Sequence, residues 1–394
     1  MLKLLDRRYR NLIKIIFFLL SPIIIFMIFI IFPIKKIRIG SIPTHRIGHL
    51  SQEMALYLGS KKKDNFDIFF PQNRICNLTL YNLIKKKLFV LSGDILWPIF
   101  TILKRLSLYV YFFDNFIVKT TVWDKKNKYN ILKDFKLSKH QIKKGESFLK
   151  KIGIKKKDKI VLLCIRDAKY LKKNFSQNYS YHDYRNCNSQ NFIFAINFLI
   201  KKGYYVFKMG QDSEDNLDLK SKKFINYSKY YRDDFMDIYL SYRCLFNIST
   251  STGIDGVSSY IFKRPLLVAN IVPLKDISEY ATTKNFLITF KEYLDTKSNK
   301  KLNFSEIKKR KLFDIVRSSD FKKAGVKLIE NDKITIQQAV KEMVSFLNNG
   351  KRANSNNFWK KYDEIFKTEK QGLYKRGISH IAESFLKKRP YILK

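Results

Sequence analysis

The sequence predicts an α/β fold of parallel βαβ units preceded by a membrane helix. Three observations carry that expectation. Apolar runs of strand length alternate with segments of helical apolar spacing through most of the chain, which argues for parallel sheets with crossover helices. The clearest such unit is Cys244 to Asn270, where an apolar run empties into a small-residue turn, a helix and a second apolar run. Near the start, Ile15 to Ile34 is an unbroken stretch without a charge.

That stretch matches the roughly 20 residues a helix needs to cross a bilayer. It is too long for a signal-peptide core, and no small-residue cleavage site follows it. Basic residues flank both ends, with Arg7, Arg8, Arg10 and Lys14 before and Lys35, Lys36 and Arg38 after, so the positive-inside rule sets no orientation. Pro22 lies inside the stretch, which leaves a kinked or re-entrant helix open beside a spanning one. Residues 1–38 are therefore read as a membrane anchor. The expected location is a bacterial-type inner membrane with the remaining chain cytoplasmic.

A smaller domain is read over 39–150. A short strand from Ile37 leads through a loop to a helix over 48–58, and 66–71 and 88–93 read as two more strands. Charged helical material from Lys128 to Lys151 precedes a new start at 160–167, IVLLCIRD, an apolar strand ending on polar residues. A long loop, a helix over 192–201, Gly203 and the strand 204–210 follow. Asp233 is placed to cap a helix over 235–242. The opening unit then reads as strand 245–248, helix 254–262 stopped by Arg264-Pro265, and strand 266–269. An amphipathic helix ended by Gly350 closes a second domain over 151–350, and the basic, aromatic tail 351–394 is expected to pack back on the body as helix.

Composition bounds the function. At 394 residues there is room for about two domains and an appendage. The 23 Tyr and 33 Phe exclude general disorder. A net charge of +43 points toward nucleic acid, but the 77 Lys and Arg are scattered in short KK and KKK pieces and form no arm or stripe. A solvated basic surface that holds anionic lipid or an anionic substrate is the better reading, and no specific nucleic-acid partner is expected. Cys76, Cys164, Cys187 and Cys244 form no CxxC pair or disulfide framework, which suits a reducing compartment.

Ligands in parallel sheets bind at the carboxyl ends of strands, and several chemistry-bearing residues fall there. The turn Ser249-Thr250-Ser251-Thr252-Gly253 opens a helix after a strand, where backbone N–H groups and the helix dipole favour an oxyanion or phosphate; it is equally able to cap a structural helix. Arg166-Asp167 at another strand end offers a guanidinium fork suited to a diphosphate, or a structural ion pair. Met209-Gly210 ends a third strand, beside a nucleotide base or as a plain turn. Tyr184 and Arg185 lie in a candidate substrate loop or an ordinary surface loop, and Arg232 faces a ligand or belongs to the structural start of the helix that Asp233 caps. Toward the amino end, His45-Arg46-Ile47-Gly48-His49, with Glu53 four residues beyond His49, suits acid/base work on a hydroxyl. No metal-ligand spacing accompanies it. GxGxxG, Walker and GxSxG motifs are absent, and so is Asp-x-Asp.

The ordered set HRIGHL, CIRDxxY, YRN, KMG, RDDFMDIYL, CxFxISTSTG and FKRPLLVAN, with ISHIAESFL near the end, resembles a family of putative bacterial glycosyltransferases of surface-polysaccharide loci over about residues 42–390. The resemblance implies a GT-B-like architecture of two Rossmann-like domains facing a cleft. It is similar to fucosyltransferase-like enzymes at the strand end, where Arg166 is then the donor-diphosphate clamp and Ser251, Thr252 and Gly253 the phosphate-facing turn. Cys164 stands where those enzymes have His.

The resulting expectation is a membrane-associated, metal-independent glycosyltransferase. It moves a sugar from a nucleotide-sugar donor to a lipid-linked or polysaccharide acceptor in cell-envelope glycan synthesis, with no cofactor beyond the donor. His49, Glu53 and His45 are the candidate catalytic groups. Arg166, Asp167, Ser251, Thr252, Gly253, Gly210 and Met209 line the donor side, and Arg46, Tyr184, Arg185 and Arg232 make further contacts. Its rivals are another envelope-polymer transferase on the same scaffold, moving a phosphoryl or pyruvyl-like group, and a non-enzymatic basic membrane protein that binds anionic polymer.

Overall fold

The computed structural model describes residues 7–61, 64–72, 74–120, 135–168, 179–210, 217–280, 285–350, 355–367 and 379–394. Parts of the charged segment after Lys128, of the long loop after Asp167 and of the tail lie outside the described residues, as do Asp215 and Asn216. The chain divides into two units, Met1–Phe135 and Lys136–Lys394.

In the first unit, α1 (Arg7–Ile31) leads into β1 (Lys36–Ile42), α2 (Ile47–Ser60), β2 (Asn65–Pro71), α3 (Leu78–Lys85), β3 (Phe89–Val90) and α4 (Gly93–Tyr109). The three strands form a parallel sheet in the order β1-β2-β3, with Ile39 opposite Ile68 and Ile68 opposite Phe89. Ile117 bridges to Ile39 in parallel on the free side of β1, so the chain adds strands on one side of β1 and then returns to the other. The third strand, expected over 88–93, shrinks to two residues because Phe89 stays half exposed at the sheet edge. Asn77 and Ser92 cap α3 and α4, each accepting a backbone N–H with its side chain.

One face of α1 belongs to this core. Ser21, Ile25 and Ile28 are buried, and the two isoleucines pack with Ile39, Phe70, Leu96, Ile99, Leu103 and Phe116. The helix runs through Pro22 without interruption. Arg38, expected as a basic flank of the membrane stretch, sits instead in β1. Its guanidinium donates twice to the buried Asp67 carboxylate, at 2.7 and 2.7 Å, and the Tyr57 hydroxyl donates to the same group at 2.6 Å. Leaving Asp67 buried and unpaired would cost several kcal/mol, so this network fixes the register of β1 beside β2.

The second unit is built on a seven-stranded, all-parallel sheet. Its strands are β4 (Ile160–Cys164), β5 (Tyr205–Lys208), β6 (Phe224–Ile225), β7 (Phe246–Ser249), β8 (Leu266–Ile271), β9 (Phe286–Phe290) and β12 (His380–Ile381), in the spatial order β12-β9-β8-β7-β4-β5-β6. Every residue of β4, β7, β8 and β9 is buried, as parallel strands covered on both faces require. The alternation that weakens past Leu274 does so because β10 (Glu292–Asp295) and β11 (Val326–Ile329) pair antiparallel with each other, outside the main sheet.

Covering helices include α5 (Lys139–Lys151), α6 (Ile193–Lys201), α7 (Asp234–Arg243), α8 (Lys333–Asn349) and α9 (Asn356–Phe366). Helix α5, read from sequence with the smaller domain, belongs to the second unit. Gly145 admits the buried Tyr239 ring against its backbone, and the Tyr239 hydroxyl donates to Glu146 at 2.8 Å. The tail does more than pack as helix. After α9, His380–Ile381 pairs with Leu287–Ile288 as the edge strand of the sheet. Gly350 ends α8 with a left-handed φ of 69°, as its position in the sequence implied.

The segment expected as a regular helix over 254–262 is a π-helical turn, Val257–Ile261. Ser258 and Ser259 donate their hydroxyls back to the Asp255 carbonyl, at 3.0 and 2.6 Å, and Asn247 from β7 donates to Ser258 at 2.9 Å. Such back-bonding competes with the regular helical ladder and opens the turn.

Candidate functional site

Strand order decides where the second unit has a crevice. From β4 the chain lays β5 and β6 on one side, then places β7, β8, β9 and β12 on the other, so the direction of winding reverses between β4 and β7. Loops leaving adjacent strands at such a point go to opposite faces and part from each other, which is where open α/β sheets take ligands. Arg166 and Asp167 leave β4, and Ser251 to Gly253 leave β7. The structure therefore brings together, at one sheet edge, two sets of residues 84 apart in sequence. The Arg166 amide donates to Thr250 Oγ1 at 2.8 Å, and the Thr250 amide donates to the Cys164 carbonyl at 3.0 Å.

The turn after β7 is held from below by a buried acid. Asp255 accepts from the Ser249 hydroxyl at 2.6 Å and from the Thr252 amide at 3.0 Å. Burial pushes the Asp255 carboxyl up to about 6, against the Ser249 hydroxyl, the Thr252 amide and the nearby Arg185 charge. The Thr252 amide, expected to be open to a phosphate, is thus occupied from within the turn. Gly253 remains exposed at the turn's outer side.

Ser251 is the strained member. Its φ of 61° is left-handed, a conformation that costs a non-glycine residue roughly 1–2 kcal/mol. Arg185 Nη2 donates to both the Ser251 carbonyl and its hydroxyl, each at 2.9 Å, and the hydroxyl shares a 2.8 Å bond with Tyr280. Arg185 also lies near the buried Asp255 and the half-buried Asp276, whose carboxyls burial raises and the guanidinium lowers. Residues held in this region by surrounding structure cluster at ligand clamps.

Arg185 reaches the turn because its segment is docked. Ser180–Arg185 forms a 3-10 turn, and the buried Lys291 at the end of β9 donates to the Tyr184 and Asn186 carbonyls, at 3.1 and 2.6 Å. The Tyr184 amide donates to Ser318 at 3.0 Å, its ring meets Phe321 at 5.5 Å, and the Cys187 amide donates to the Arg166 carbonyl at 3.1 Å. Tyr184 is thus part of the packing that presents Arg185.

Other expected residues stand apart from the cradle or serve the scaffold. Arg232 pairs with Asp234 at 2.6 Å and Asp237 at 3.4 Å beside Asp233, which caps α7 as expected. Met209 is buried and extends the ladder by donating its amide to Leu163, and Gly210 takes a φ of 129° with open space beside it. Cys164 is buried in β4, and burial raises its thiol well above the ordinary range. Among the described residues, no three His, Cys, Asp or Glu side chains gather as metal ligands.

The first unit repeats the arrangement on a smaller scale. Its winding reverses at β1, between β2 and the Ile117 bridge, and the loop that leaves β1 there carries His45, Arg46 and His49 into α2. His49 Nδ1 lies 2.5 Å from Glu53 Oε1, with the carboxylate buried and the imidazole half exposed. His45 shares a 2.6 Å hydrogen bond with Gln72, and the two imidazoles stack at 5.6 Å between centroids. A buried carboxylate on Nδ1 fixes the ring tautomer and leaves Nε2 for proton transfer.

Asp255, Tyr280 and Lys291 were not singled out in the sequence. The first was legible: Thr252-x-x-Asp255 is the spacing of a side chain that reaches back to cap a helix start. Tyr280 and Lys291 reach the site only through sheet order, and no local pattern marks them.

No protein-family model and no curated protein sequence matches this chain. Among solved structures, it is similar to a glycosyl transferase family 9 protein from Veillonella parvula DSM 2008, at 10% identity over 59% of this chain and 80% of that one, with a TM-score of 0.40. It is also similar to the E. coli ADP-heptose lps heptosyltransferase II, at 11% identity over 59% of this chain and 84% of that one, with a TM-score of 0.34. Both likenesses are too distant to assign a reaction to these residues.

Proposed function

We propose that this chain is a glycosyltransferase of envelope glycan synthesis that takes a nucleotide-activated sugar at the β4–β7 crevice. The observation that carries the reading is the joining of Arg166, the strained Ser251 turn and Arg185 at the switch point of a parallel sheet. The Arg185 guanidinium sits on this turn and Arg166 leaves β4 beside it, so two arginines border a site suited to a dianionic leaving group. Preorganised charge there stabilises what develops as the sugar–phosphate bond breaks. Arg166 holds the diphosphate, Arg185 holds Ser251 and the turn in place, and Gly253, at the turn's exposed side, contributes its backbone N–H.

In this reading His49 accepts the proton of the acceptor hydroxyl, and Glu53 orients its imidazole and stabilises the imidazolium that forms. The sequence left His49 and Glu53 as equal candidates for the base. The bond between them favours the exposed histidine for that role and the buried carboxylate as its positioning residue. The acceptor is a lipid-linked or polysaccharide hydroxyl, in keeping with the basic surface and the apolar first helix.

The test is transfer by the purified full-length chain across a panel of nucleotide sugars with a lipid-linked acceptor, with and without a chelator. Turnover that His49→Ala lowers at least a hundredfold, with donor binding unchanged, supports the assignment. Failure to bind or turn over any donor in the panel overturns it.

A further inference from the structure

Composition and packing disagree about α1. The most apolar 18-residue stretch of Arg7–Ile31 has a mean hydropathy of 2.8, and at 1.5 Å per residue the helix is about 37 Å long, enough to cross a hydrocarbon core of about 30 Å. Its contacts tell a different story. Near its start, Arg10 and Lys14 pair with the buried Asp94 at the start of α4, at 3.0 and 3.4 Å. Near its end, Phe29 and Phe32 meet Phe112, just beyond α4, at 5.8 and 5.5 Å between centroids. The two helices therefore run side by side over their whole lengths. Helix α4 in turn packs Leu96, Ile99 and Leu103 into the core with Ile39 and Phe70 of the sheet.

If α1 stood across a bilayer, α4 would enter with it. So would Lys104, Arg105 and the paired Asp94, together with a sheet edge. Charges inside the hydrocarbon are costly and are found there facing a protein interior or a water-filled cavity. Detaching α1 instead would strip Ile25 and Ile28 from the core and leave Asp94 buried without its partners.

We infer that α1 and α4 together form a monotopic docking face that lies in one leaflet of an anionic bilayer, with α1 flat in the interface and not across it. The apolar surface fits. At 3.6 residues per turn the exposed residues of α1 cover an arc of roughly 220°. Leu19, Ile23, Phe26 and Ile30 on that arc are 57 to 69% exposed. Leu108 and Tyr109 at the end of α4 and Tyr111 just beyond it carry the surface on at 74 to 81% exposed, aromatic in the way membrane interfaces favour. The rim is cationic: Arg7 and Arg8 precede the face, Lys35 and Lys36 follow it, and Lys104 and Arg105 flank it on α4, all exposed. Basic groups around an apolar face complement anionic headgroups near the surface. This inference stands apart from the transferase reading, and either survives failure of the other.

The test uses the full-length chain with an amino-terminal epitope tag, reconstituted from outside onto sealed vesicles of phosphatidylcholine with and without phosphatidylglycerol. External protease is expected to remove the tag completely while the vesicles stay sealed. Leu108→Glu and Tyr111→Glu, at positions 79% and 74% exposed, are expected to weaken vesicle binding at least tenfold. A tag protected inside the vesicle shows a spanning helix and overturns the inference. So does unchanged binding by the α4-end variants, and so does a chain that ignores vesicles and buries the face in a dimer.

Discussion

Replacing Ser251 with glycine and, separately, with alanine measures how hard the second unit works to hold the turn after β7. Both changes remove the hydroxyl that accepts from Arg185 and bonds Tyr280. The charge-assisted bond is worth about 1.5–3 kcal/mol and the neutral one about 0.5–1.5 kcal/mol. Glycine adopts a φ of 61° without strain, whereas alanine keeps a conformation that costs roughly 1–2 kcal/mol. Ser251→Ala should therefore destabilise the unit by about 2–4 kcal/mol, and Ser251→Gly by about 1–2 kcal/mol less than alanine does. Equilibrium urea unfolding of wild type and both variants reads the difference directly. If alanine proves as stable as glycine at this position, Ser251 is not held under backbone strain, and the clamp loses its physical basis.

Three further outcomes follow from named contacts. A Cβ at Gly145 would lie 2.3 Å from the Tyr239 ring, so Gly145→Ala should force α5 off α7 and destabilise by about 1–3 kcal/mol, visible as a lower urea midpoint. Burial raises Asp255 to about 6 and Asp237 to about 7, above the unfolded value near 3.9, so the folded chain binds more protons than the unfolded chain between about pH 4 and 7. That contribution to stability is present below the window and lost as pH rises through it. Comparing Asp255→Asn with wild type should show about 2 kcal/mol less decline between pH 4 and 6, and equal slopes would contradict the assignment. Arg185→Lys keeps a charge but not the fixed planar guanidinium whose Nη2 donates to both the Ser251 carbonyl and hydroxyl, so it should weaken nucleoside diphosphate binding about tenfold or more by calorimetry.

Much of this fold was legible because its strands are buried on both faces. Runs such as IVLLC and LLVANI can only be core, and Asp233, Asn77 and Gly350 mark helix ends by local chemistry. What escaped the sequence is what depends on pairing partners. His380–Ile381 is too short to signal a strand and becomes one only beside β9. The π-helical turn after Gly256 arises from serine hydroxyls that can be placed only once Asn247 lies opposite Ser258.

The candidate site divides in the same way. Arg166 and the Ser251 turn stand out because small and cationic residues end apolar strands. That they share one crevice follows from strand order, which local patterns do not encode. Arg232 and Arg185 looked alike as loop arginines. Three-dimensional neighbours separate them, since Arg232 is spent on the acids that begin α7 while Arg185 reaches the turn. The first helix shows the reverse, for composition alone reads as a spanning segment and only its partnership with α4 argues otherwise.

A structure of the full-length chain with a nucleoside diphosphate bound tests the central claim most directly. The account predicts phosphate oxygens within about 3 Å of the Arg166 guanidinium and of the Gly253 backbone N–H, with Arg185 still on Ser251. A diphosphate bound elsewhere on the sheet edge, with Arg166 and the turn untouched, would contradict it.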